Sequence, residues 1–473
     1  MSDFLASLRE FVGNRGAPEP ARDPVNQPMI RHWCDAMEDG NPLYTDPEAA
    51  SRSVHGGVVA PPTMLNAWTM LGLIPRPTLP GNDQDPQSGA LARLDAAGFT
   101  SVVATNSDHE YARYLRPGDH IAGTLELLDV SEEKQTALGT GHFVTTQTTY
   151  HDQHGEMVGA MRFVILKFKP GTGRGSASAG EGPPPPRPLR PRPGISSDSR
   201  FFWDGVQADE LRIQQCTSCG TLHHPPVVRC PRCGSYELGY QVASGRGTVY
   251  SSVEVHHPQV PGFDYPVVVG LVELEEGTRL LTELVDIDPE RVEIGMPVEV
   301  AFEEVEPARD GNPGWKLPLF RAARPARATE TLGFEDVEVG AQLAPCPIPI
   351  TTTRIVACAI ASRDYQDVHH DRALAIQRGS PDIFMNILTS SGLSSRYITD
   401  WAGPEATLRN LSIRLGAPNY PGDCMTMYGE VTSKELQGGV GVVGVAFRGT
   451  NRLGHHVTGT TELVLPVAGG AGA

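Results

Sequence analysis

Two stretches of the chain, one at each end, repeat the same succession of polar and apolar positions. In each stretch a short polar motif comes first, a helical pattern follows, and long runs rich in β-branched residues come last. The final runs are GEMVGAMRFVILKF in the first stretch and GHHVTGTTELVLPV in the second. These patterns predict two domains of the same kind, each with a helix and several long antiparallel strands.

The polar motifs of the two stretches also correspond in spacing. In CAIASRDYQDVHHD, Asp364 lies five residues before His369, and in CDAMEDGNPLYTD, Asp39 lies five residues before Tyr44. Both stretches later carry a Pro-Gly-Asp sequence that opens a strand. We therefore interpret the two ends as divergent copies of one domain.

Composition marks the boundaries between the parts of the chain. Residues 171–198 are rich in Gly and Ser and then in Pro, which predicts a flexible linker that becomes extended. Residues 199–325 contain short strands separated by turns, which predicts a small β-barrel. The two copies then occupy residues 1–170 and 326–473.

The charge balance narrows the range of partners. A formal net charge of −17 on 473 residues disfavours non-specific attraction to nucleic acid or to anionic membranes. No apolar run approaches the roughly 20 residues that span a bilayer, and the amino terminus resembles an amphipathic helix more than a signal peptide. We expect a soluble cytoplasmic protein that binds neither nucleic acid nor membrane.

Four of the eight cysteines form a metal-type cluster. Cys216 and Cys219 make one Cys-x-x-Cys pair, and Cys230 and Cys233 make another. Two such pairs can converge on a tetrahedral Zn²⁺, and four thiolates leave no open position for chemistry. The spacing therefore predicts a structural zinc site. The alternatives are a cluster that has lost its metal, or redox pairs, for which no βαβ pattern is present.

The Asp364–His369 spacing fits the addition of water to a conjugated double bond. That reaction needs a base for the water, an acid for the α-carbon, and donors that stabilise the enolate oxygen. Residues five apart point away from each other on a continuous helix, so the pair requires Asp364 on a loop and His369 near the next helix start. The alternative is that both residues are helix caps or solvated surface groups.

The sequence SRDYQDVHHD resembles the hydratase motif of MaoC-like, hot-dog-fold enoyl-CoA hydratases, Ser-Gly-Asp-x-Asn-Pro-x-His. The residues that match are Ser362, Asp364 and His369. The residues that depart from it are Arg363, Gln366 and Asp367. The resemblance implies that Asp364 is the base toward water and that His369 is its acid/base partner. His370 is the alternative with the wrong spacing.

The first copy shows the opposite pattern, because DGNPLY keeps the loop residues of that motif and replaces its histidine by Tyr44. A phenol has a reference pKa near ~10 and is a poor proton shuttle at neutral pH. We expect this copy to be non-catalytic and to help form the acyl pocket. In the second copy, backbone N–H groups near the helix start in GSPDIFMNILTSSG are the candidates for an oxyanion hole.

The middle segment FWDGVQADELRIQQCTSCGTLHHPPVVRCPRCGS resembles the zinc ribbon and OB-fold of the domain-of-unknown-function-35 family. Members of that family accompany thiolase-like enzymes and acyl-CoA metabolism. The domain order as a whole resembles the MaoC-like hydratases of steroid side-chain degradation. There, two hot-dog subunits form one enzyme, and one of them lacks the histidine and carries the zinc-ribbon/OB domain.

The resemblance implies an α+β protein in which two hot-dog domains, fused in one chain, flank a zinc ribbon plus an OB-fold β-barrel. The implied reaction is hydration of a bulky enoyl-CoA of steroid origin, with CoA present as part of the substrate. The implied partner is a thiolase-like retro-aldolase docked on the zinc-ribbon/OB domain, and a homodimer is expected. The alternatives are a hot-dog thioesterase and a non-enzymatic scaffold for a thiolase-like partner.

Overall fold

A computed structural model describes residues 3–73, 85–173, 188–306 and 314–468. Most of the predicted linker, at 174–187, lies outside the described residues. The chain forms two compact units. The first consists of Met1–Gly182, Ala326–Ala344 and Ile348–Ala473, and the second consists of Pro183–Pro325 with Pro345–Pro347.

The first unit contains both copies of the repeated pattern. The amino-terminal half has helices α1 Asp3–Arg9, α2 Gln27–Met37, α3 Pro42–Thr45, α4 Pro47–Ser51 and α5 Pro86–Ala96. Its strands are β1 Glu19–Pro20, β2 Ser101–Tyr111, β3 Ala122–Val130, β4 Lys134–Gln135, β5 Thr140–His151 and β6 Met157–Phe168.

The second unit contains one α-helix, one 3-10 turn at Pro289–Arg291 and eight strands among its described residues. The α-helix and the strands follow in chain order. They are α6 Arg200–Gln207, β7 Arg212–Cys216, β8 Leu222–His223, β9 Leu238–Val242, β10 Arg246–Val255, β11 Val267–Leu274, β12 Arg279–Leu284, β13 Pro297–Glu306 and β14 Trp315–Ala322. Strands β8, β7 and β9 form a small sheet, and β10-β11-β12-β14-β13 close into a barrel. Val249, Val272 and Phe320 are fully buried in the core of this unit.

The carboxyl-terminal half of the first unit returns to the pattern of the amino-terminal half. Its helices are α7 Thr352–Ala361, α8 Arg372–Gln377 and α9 Ile387–Ala402. Its strands are β15 Gln342–Pro349, β16 Thr407–Leu408, β17 Asn410–Leu415, β18 Cys424–Gln437, β19 Val440–Asn451 and β20 Gly454–Leu465. Among the described residues, no helix combines the length and the apolar character needed to cross a bilayer.

The two halves share one strand order. In the amino-terminal half the strands lie side by side as β1-β3-β5-β6-β2, and in the carboxyl-terminal half as β15-β18-β19-β20-β17. Each order therefore starts with the strand before the helix that carries the polar motif at its end, α2 or α7, and it ends with the first long strand after the helices. This shared topology supports the interpretation of the halves as copies of one domain.

One strand pairing joins the halves into a single sheet. Strands β2 and β17 are antiparallel, and Asp108 lies directly opposite Ser412. Each of these two residues stands nine positions before the proline of its own Pro-Gly-Asp turn, so they are equivalent positions of the repeat. Ser412 Oγ donates a hydrogen bond to the Asp108 carboxylate. The halves are thus related by a pseudo-twofold axis that passes between these two side chains.

The helices differ between the two halves more than the sheets do. Helix α9 has 16 residues, and almost all of its side chains are buried. The amino-terminal half has two short 3-10 turns, Pro62–Met64 and Asn66–Trp68, before the 11-residue α5. Helix α9 lies against the other half as well, because a Cβ added at Gly392 would be 3.0 Å from Trp33 Cζ2 and 2.9 Å from Met37 Sδ.

Substitution Gly392→Val tests this packing between α9 and α2. The added side chain meets the buried Trp33 ring, and overpacking of this kind costs about 1–3 kcal/mol, more than the small gain in helix propensity. We expect a lower thermal unfolding midpoint in calorimetry. Gly57→Val is the matched control, since nothing lies within 4 Å of a Cβ at Gly57. Equal midpoints for the two variants would contradict the packing.

Candidate active site

The end of helix α7 directs Asp364 away from the helix. The N–H of Asp364 donates to the carbonyl of Ala359 (3.0 Å), and the N–H of Arg363 donates to the carbonyl of Ile360 (3.0 Å). These two bonds form a Schellman motif, in which the residue after the helix adopts the left-handed conformation. Arg363 has that conformation, with φ +59°. The motif thus reverses the chain at the residue that carries the carboxylate.

The amino-terminal half contains the same turn at the end of α2. Glu38 has φ +53°, and the N–H of Asp39 donates to the carbonyl of Cys34 (2.8 Å). A side chain in this conformation costs roughly 1 kcal/mol, which explains why the hydratase motif has glycine before its aspartate. Arg363 departs from that glycine and still keeps the turn.

His369 lies opposite Asp364 at the end of a 3-10 turn, Asp367–His369, just before α8. Its Nδ1 is 2.7 Å from the carbonyl oxygen of Phe384. Because a carbonyl only accepts hydrogen bonds, Nδ1 carries the proton of the neutral ring and Nε2 carries the lone pair. Nε2 lies 3.5 Å from Asp364 Oδ2. Both residues are buried, with 6% and 7% of their surface exposed.

The next two residues have other contacts. His370 is exposed, and its Nε2 lies 3.2 Å from the carbonyl oxygen of Tyr365. Asp371 caps α8, accepting a hydrogen bond from the N–H of Leu374 (3.0 Å). The side chain of His370 therefore faces solvent, and that of Asp371 is occupied by the helix start.

The carboxylate of Asp364 is held by the start of α9. Asn386 Nδ2 donates to Asp364 Oδ2 (3.1 Å) and to Ser362 Oγ (3.0 Å). The side-chain oxygen of Asn386 caps α9 by accepting from the N–H of Thr389 (2.8 Å). The first residues of a helix have no intrahelical acceptor for their N–H groups. The backbone N–H groups of Ile387 and Leu388 therefore come directly after Asn386, the residue whose side chain holds the carboxylate.

A second histidine supports α9 from the sheet. His456 Nδ1 lies 2.8 Å from the carbonyl oxygen of Ala417, and its Nε2 lies 2.8 Å from Ser390 Oγ. Burial lowers the pKa of His456 to about 4, so this ring is neutral and accepts the Ser390 hydrogen. It fixes the first turn of α9 against β20.

The corresponding site in the amino-terminal half lacks a titrating partner. Tyr44 is 2% exposed, and burial raises the pKa of its phenol well above the usual range. Burial also raises the pKa of the Asp39 carboxyl, while the charges of Arg396 and Arg327 oppose that shift. At neutral pH the Tyr44 phenol therefore keeps its proton.

The amino-terminal half nevertheless lies against the loop of the other site. A Cβ at Gly72 would be 3.4 Å from Arg363 Nη2 and 4.0 Å from Tyr365 Cε2. Cys358 Sγ, near the end of α7, donates to the carbonyl of Ala36 (3.1 Å). The loop that carries Asp364 thus contacts the amino-terminal half as well as the half to which it belongs.

Sequence reasoning missed the residues that orient the pair. The signal for Asn386 was present, since an asparagine directly before the apolar run ILTSSGL is a typical N-cap. The carbonyl of Phe384 and the ring of His456 gave no signal, because backbone acceptors and distant strands are not visible in a motif.

The four cysteines predicted as metal ligands converge in the second unit. Their sulfur atoms all lie within 4.8 Å of one another. Each pair forms the same turn: the N–H of Gly220 donates to Cys216 O (2.7 Å), and the N–H of Gly234 donates to Cys230 O (2.8 Å). Both glycines have positive φ, +74° and +76°.

The sulfur distances test whether the cluster fits a metal. Cys216 Sγ is 3.6 Å from Cys233 Sγ, and Cys219 Sγ is 3.7 Å from Cys230 Sγ. Four sulfurs at about 2.3 Å from a tetrahedral Zn²⁺ are about 3.8 Å apart. The donor set therefore fits zinc, with all four positions supplied by protein.

Three family models match the chain. Residues 10–161 match "FAS1-like, dehydratase domain region", residues 203–239 match "ChsH2, rubredoxin-like zinc ribbon domain", and residues 240–303 match "ChsH2, C-terminal OB-fold domain". These matches confirm the predicted zinc-ribbon and OB-fold architecture of the middle of the chain.

Curated relatives match larger parts. A "Probable enoyl-CoA hydratase alpha subunit" of Thermomonospora curvata is 44% identical over 68% of this chain and 98% of its own length. The "3-oxo-4,17-pregnadiene-20-carboxyl-CoA hydratase alpha subunit" of Mycobacterium tuberculosis is 46% identical over 67% of this chain and 97% of its own length. The beta subunit of the same name and organism is 50% identical over 26% of this chain and 94% of its own length.

One solved structure has a similar fold over the whole chain, and another is similar in sequence over part of it. A "MaoC-like dehydratase" covers 97% of this chain and 99% of its own length with a TM-score of 0.53 at 17% identity, a likeness of fold alone. A chain of the structure described as "Ltp2-ChsH2(DUF35) aldolase" is 46% identical over 28% of this chain and 98% of its own length, with a TM-score of 0.26. Because the two alpha-subunit relatives are 44% and 46% identical and are covered over 98% and 97% of their length, the chain belongs to the MaoC-like enoyl-CoA hydratase family, a family of hydro-lyases, in the branch that joins hot-dog domains to a ChsH2-type zinc ribbon and OB-fold.

Proposed function

We propose that the chain adds water to a bulky α,β-unsaturated acyl-CoA of the steroid side-chain type and forms the 3-hydroxyacyl-CoA. The observation that carries the proposal is the buried pair Asp364 and His369, with Oδ2 and Nε2 3.5 Å apart. The substrate class is supported by the pregnadiene-carboxyl-CoA hydratases, whose two subunits both resemble this chain.

In the proposed mechanism, Asp364 and His369 together bind the attacking water and transfer its proton. A water held between Asp364 Oδ2 and His369 Nε2 donates a hydrogen bond to each, which leaves an oxygen lone pair for C3 of the substrate. As the C–O bond forms, Asp364 accepts one proton of the water and the electron pair of the double bond moves toward the thioester oxygen. The pair then returns a proton to C2, so that the net change is the addition of one water.

The enolate oxygen needs donors while its charge exists. The N–H groups of Ile387 and Leu388, at the positive end of the 16-residue α9, are the candidates. Asn386 fixes both this helix start and the carboxylate of Asp364. In this proposal, one residue, Asn386, holds both the base and the start of the helix that supplies the oxyanion donors.

The division of the relatives into alpha and beta subunits supports a fused enzyme with one reacting site. The carboxyl-terminal half carries Asp364 and His369, and the amino-terminal half has Tyr44 in place of the histidine. We infer that the amino-terminal half encloses the acyl group and performs no proton transfer. Where the carboxyl-terminal half has the 16-residue α9, the amino-terminal half has two 3-10 turns, Pro62–Met64 and Asn66–Trp68. Among the described residues it has no helix as long as α9.

The second unit is assigned two roles. Cys216, Cys219, Cys230 and Cys233 would hold a structural Zn²⁺ that stabilises the ribbon. The zinc ribbon and the barrel together would dock a thiolase-like retro-aldolase that consumes the hydrated product. The separate compactness of this unit and its ChsH2-type family matches support a docking module.

Variants Asp364→Asn and His369→Gln test the catalytic pair. Each removes one proton-transfer group and keeps the side-chain shape, so we expect kcat for enoyl-CoA hydration to fall by about 10²–10⁴-fold. The loss of enoyl absorbance measures turnover, and free thiol release distinguishes hydrolysis. Unchanged turnover in both variants would remove the assignment.

Tyr44→Phe is the matched variant in the amino-terminal half. The phenol keeps its proton and takes no part in the reaction, so kcat should stay within about 2-fold of the parent enzyme. The same absorbance assay measures it. A loss as large as that of His369→Gln would show that the tyrosine reacts.

Cys230→Ser tests the zinc site. Loss of one thiolate should reduce the bound zinc to well below one ion per chain and destabilise the second unit, because zinc binding and ribbon folding are coupled. Elemental analysis measures the zinc content and calorimetry measures unfolding. Cys424→Ser, in β18 and outside the cluster, should retain the metal. Equal zinc contents in the two variants would contradict the assignment.

Deletion of residues 199–325 tests the docking role. The truncated protein should keep enoyl-CoA hydration and lose co-purification with the thiolase-like aldolase. Circular dichroism controls for misfolding of the remaining hot-dog unit. Retained co-purification would place the docking surface elsewhere, and loss of hydration in a folded truncation would show that the middle domain supports catalysis.

A further inference from the structure

Asn386 stands at the meeting point of the reacting carboxylate and the helix that follows it. Its Nδ2 donates to Asp364 Oδ2 (3.1 Å) and to Ser362 Oγ (3.0 Å), while its Oδ1 accepts from the N–H of Thr389 (2.8 Å). Asn386 is 3% exposed and Ser362 is fully buried. The amide is therefore held from both ends and cannot rotate freely.

The bond to Oδ2 decides which way the carboxylate faces. Oδ2 is also the oxygen that lies 3.5 Å from His369 Nε2. The other oxygen, Oδ1, accepts only a long bond from the N–H of Gln366 (3.4 Å). Within the described chain, Asn386 is thus the one side-chain amide that fixes the carboxylate in the orientation needed to share a water with His369.

The amino-terminal half identifies the equivalent position. The N–H of Phe384 bonds to Val368, just before His369, and the N–H of Val59 bonds to Leu43, just before Tyr44; both distances are 3.2 Å. Phe384 and Val59 are therefore equivalent positions, since each bonds to the residue just before the corresponding His369 or Tyr44.

Pro61 lies two residues after Val59, and Asn386 lies two residues after Phe384. Pro61 is therefore the equivalent of Asn386 in the amino-terminal half. Proline has no side-chain donor, and it starts the 3-10 turn Pro62–Met64 without a side-chain cap. The half that lacks the histidine thus also lacks the amide, although it keeps the aspartate and its turn.

The loop itself offers no substitute. Asn41 in the amino-terminal half caps the next turn through the N–H of Leu43 (3.0 Å), whereas Gln366, at the equivalent place, makes no side-chain cap. The loop residue that departs from the hydratase motif is therefore not the group that holds Asp364. An amide from α9 does so instead.

We propose that Asn386 is a positioning residue for the hydration reaction, and that it locks the Asp364 carboxylate toward His369 while it aligns the first N–H groups of α9. This proposal rests on the proposed function, since it assigns a role within the same site. Asn386 acts through Asp364 and does not itself exchange a proton.

Asn386→Asp tests the proposal with the shape and the helix cap retained. Aspartate caps helices as well as asparagine does, so the start of α9 should be retained, while the two buried carboxylates lower the stability of the protein. The variant replaces the donor by a second carboxylate beside Asp364. Two neighbouring carboxylates share one proton, and because the pair must lose it before Asp364 can act as a base, the acid limb of the kcat/KM profile should move up by about one pH unit or more.

Asn386→Ser provides a neutral second variant. Serine also caps the helix but is too short to reach Asp364, so kcat should fall by about 10–100-fold with KM within about 3-fold of the parent. The matched controls are Asn26→Asp and Asn26→Ser. Asn26 caps α2 through the N–H of Met29 (3.0 Å), and neither control should alter kcat or the pH profile.

The outcomes separate this proposal from the proposed function. If the parent enzyme hydrates no enoyl-CoA, the proposed function fails and the role of Asn386 fails with it. If the parent enzyme is active and the Asn386 variants keep its kcat and acid limb, only the positioning role is overturned. Equal effects of the Asn26 and Asn386 variants would reduce Asn386 to a helix cap.

Discussion

The antiparallel pairing of β2 with β17 is the contact on which the rest of the first unit depends. It places equivalent residues of the two copies, Asp108 and Ser412, opposite each other, so the copies are related by a local twofold axis. Two-chain hot-dog enzymes obtain such an axis from two subunits. Here one chain supplies both sides, which frees each side to change independently.

The consequences appear in the turns that end α2 and α7. Both turns are Schellman motifs with a left-handed residue followed by an aspartate, so the backbone geometry of the site was kept twice. The side chains were not. One half keeps a histidine whose tautomer is fixed by the carbonyl of Phe384, and the other has a buried phenol whose pKa is raised. The same backbone turn thus carries different side chains in the two halves, and the proposed asymmetry of the reaction rests on that difference.

Much of this was accessible from the sequence. The repeat predicted two halves with a helix and long antiparallel strands, the strand pattern predicted a small barrel, and the cysteine spacing predicted a zinc site, because hydrophobic periodicity and turn residues carry local information. The hot-dog, zinc-ribbon and OB-fold architectures were implied by the family resemblance. The loop position required for Asp364 also followed from the 3.6-residue helical repeat. The orientation of the site did not. Asn386 reaches Asp364 from the start of α9, His456 reaches α9 from β20, and only tertiary packing brings them there. The catalytic roles, the domain boundaries and the homodimer remain predictions.

The central claim is that one chain has one reacting site, at Asp364 and His369, although it has two copies of the domain. A crystal structure with an unreactive saturated acyl-CoA analogue tests it most directly. The account predicts one analogue per chain, with its β-carbon about 3–4 Å from a water between Asp364 and His369. An analogue whose β-carbon lies beside Asp39 and Tyr44, or two analogues bound equally in both halves, would contradict it.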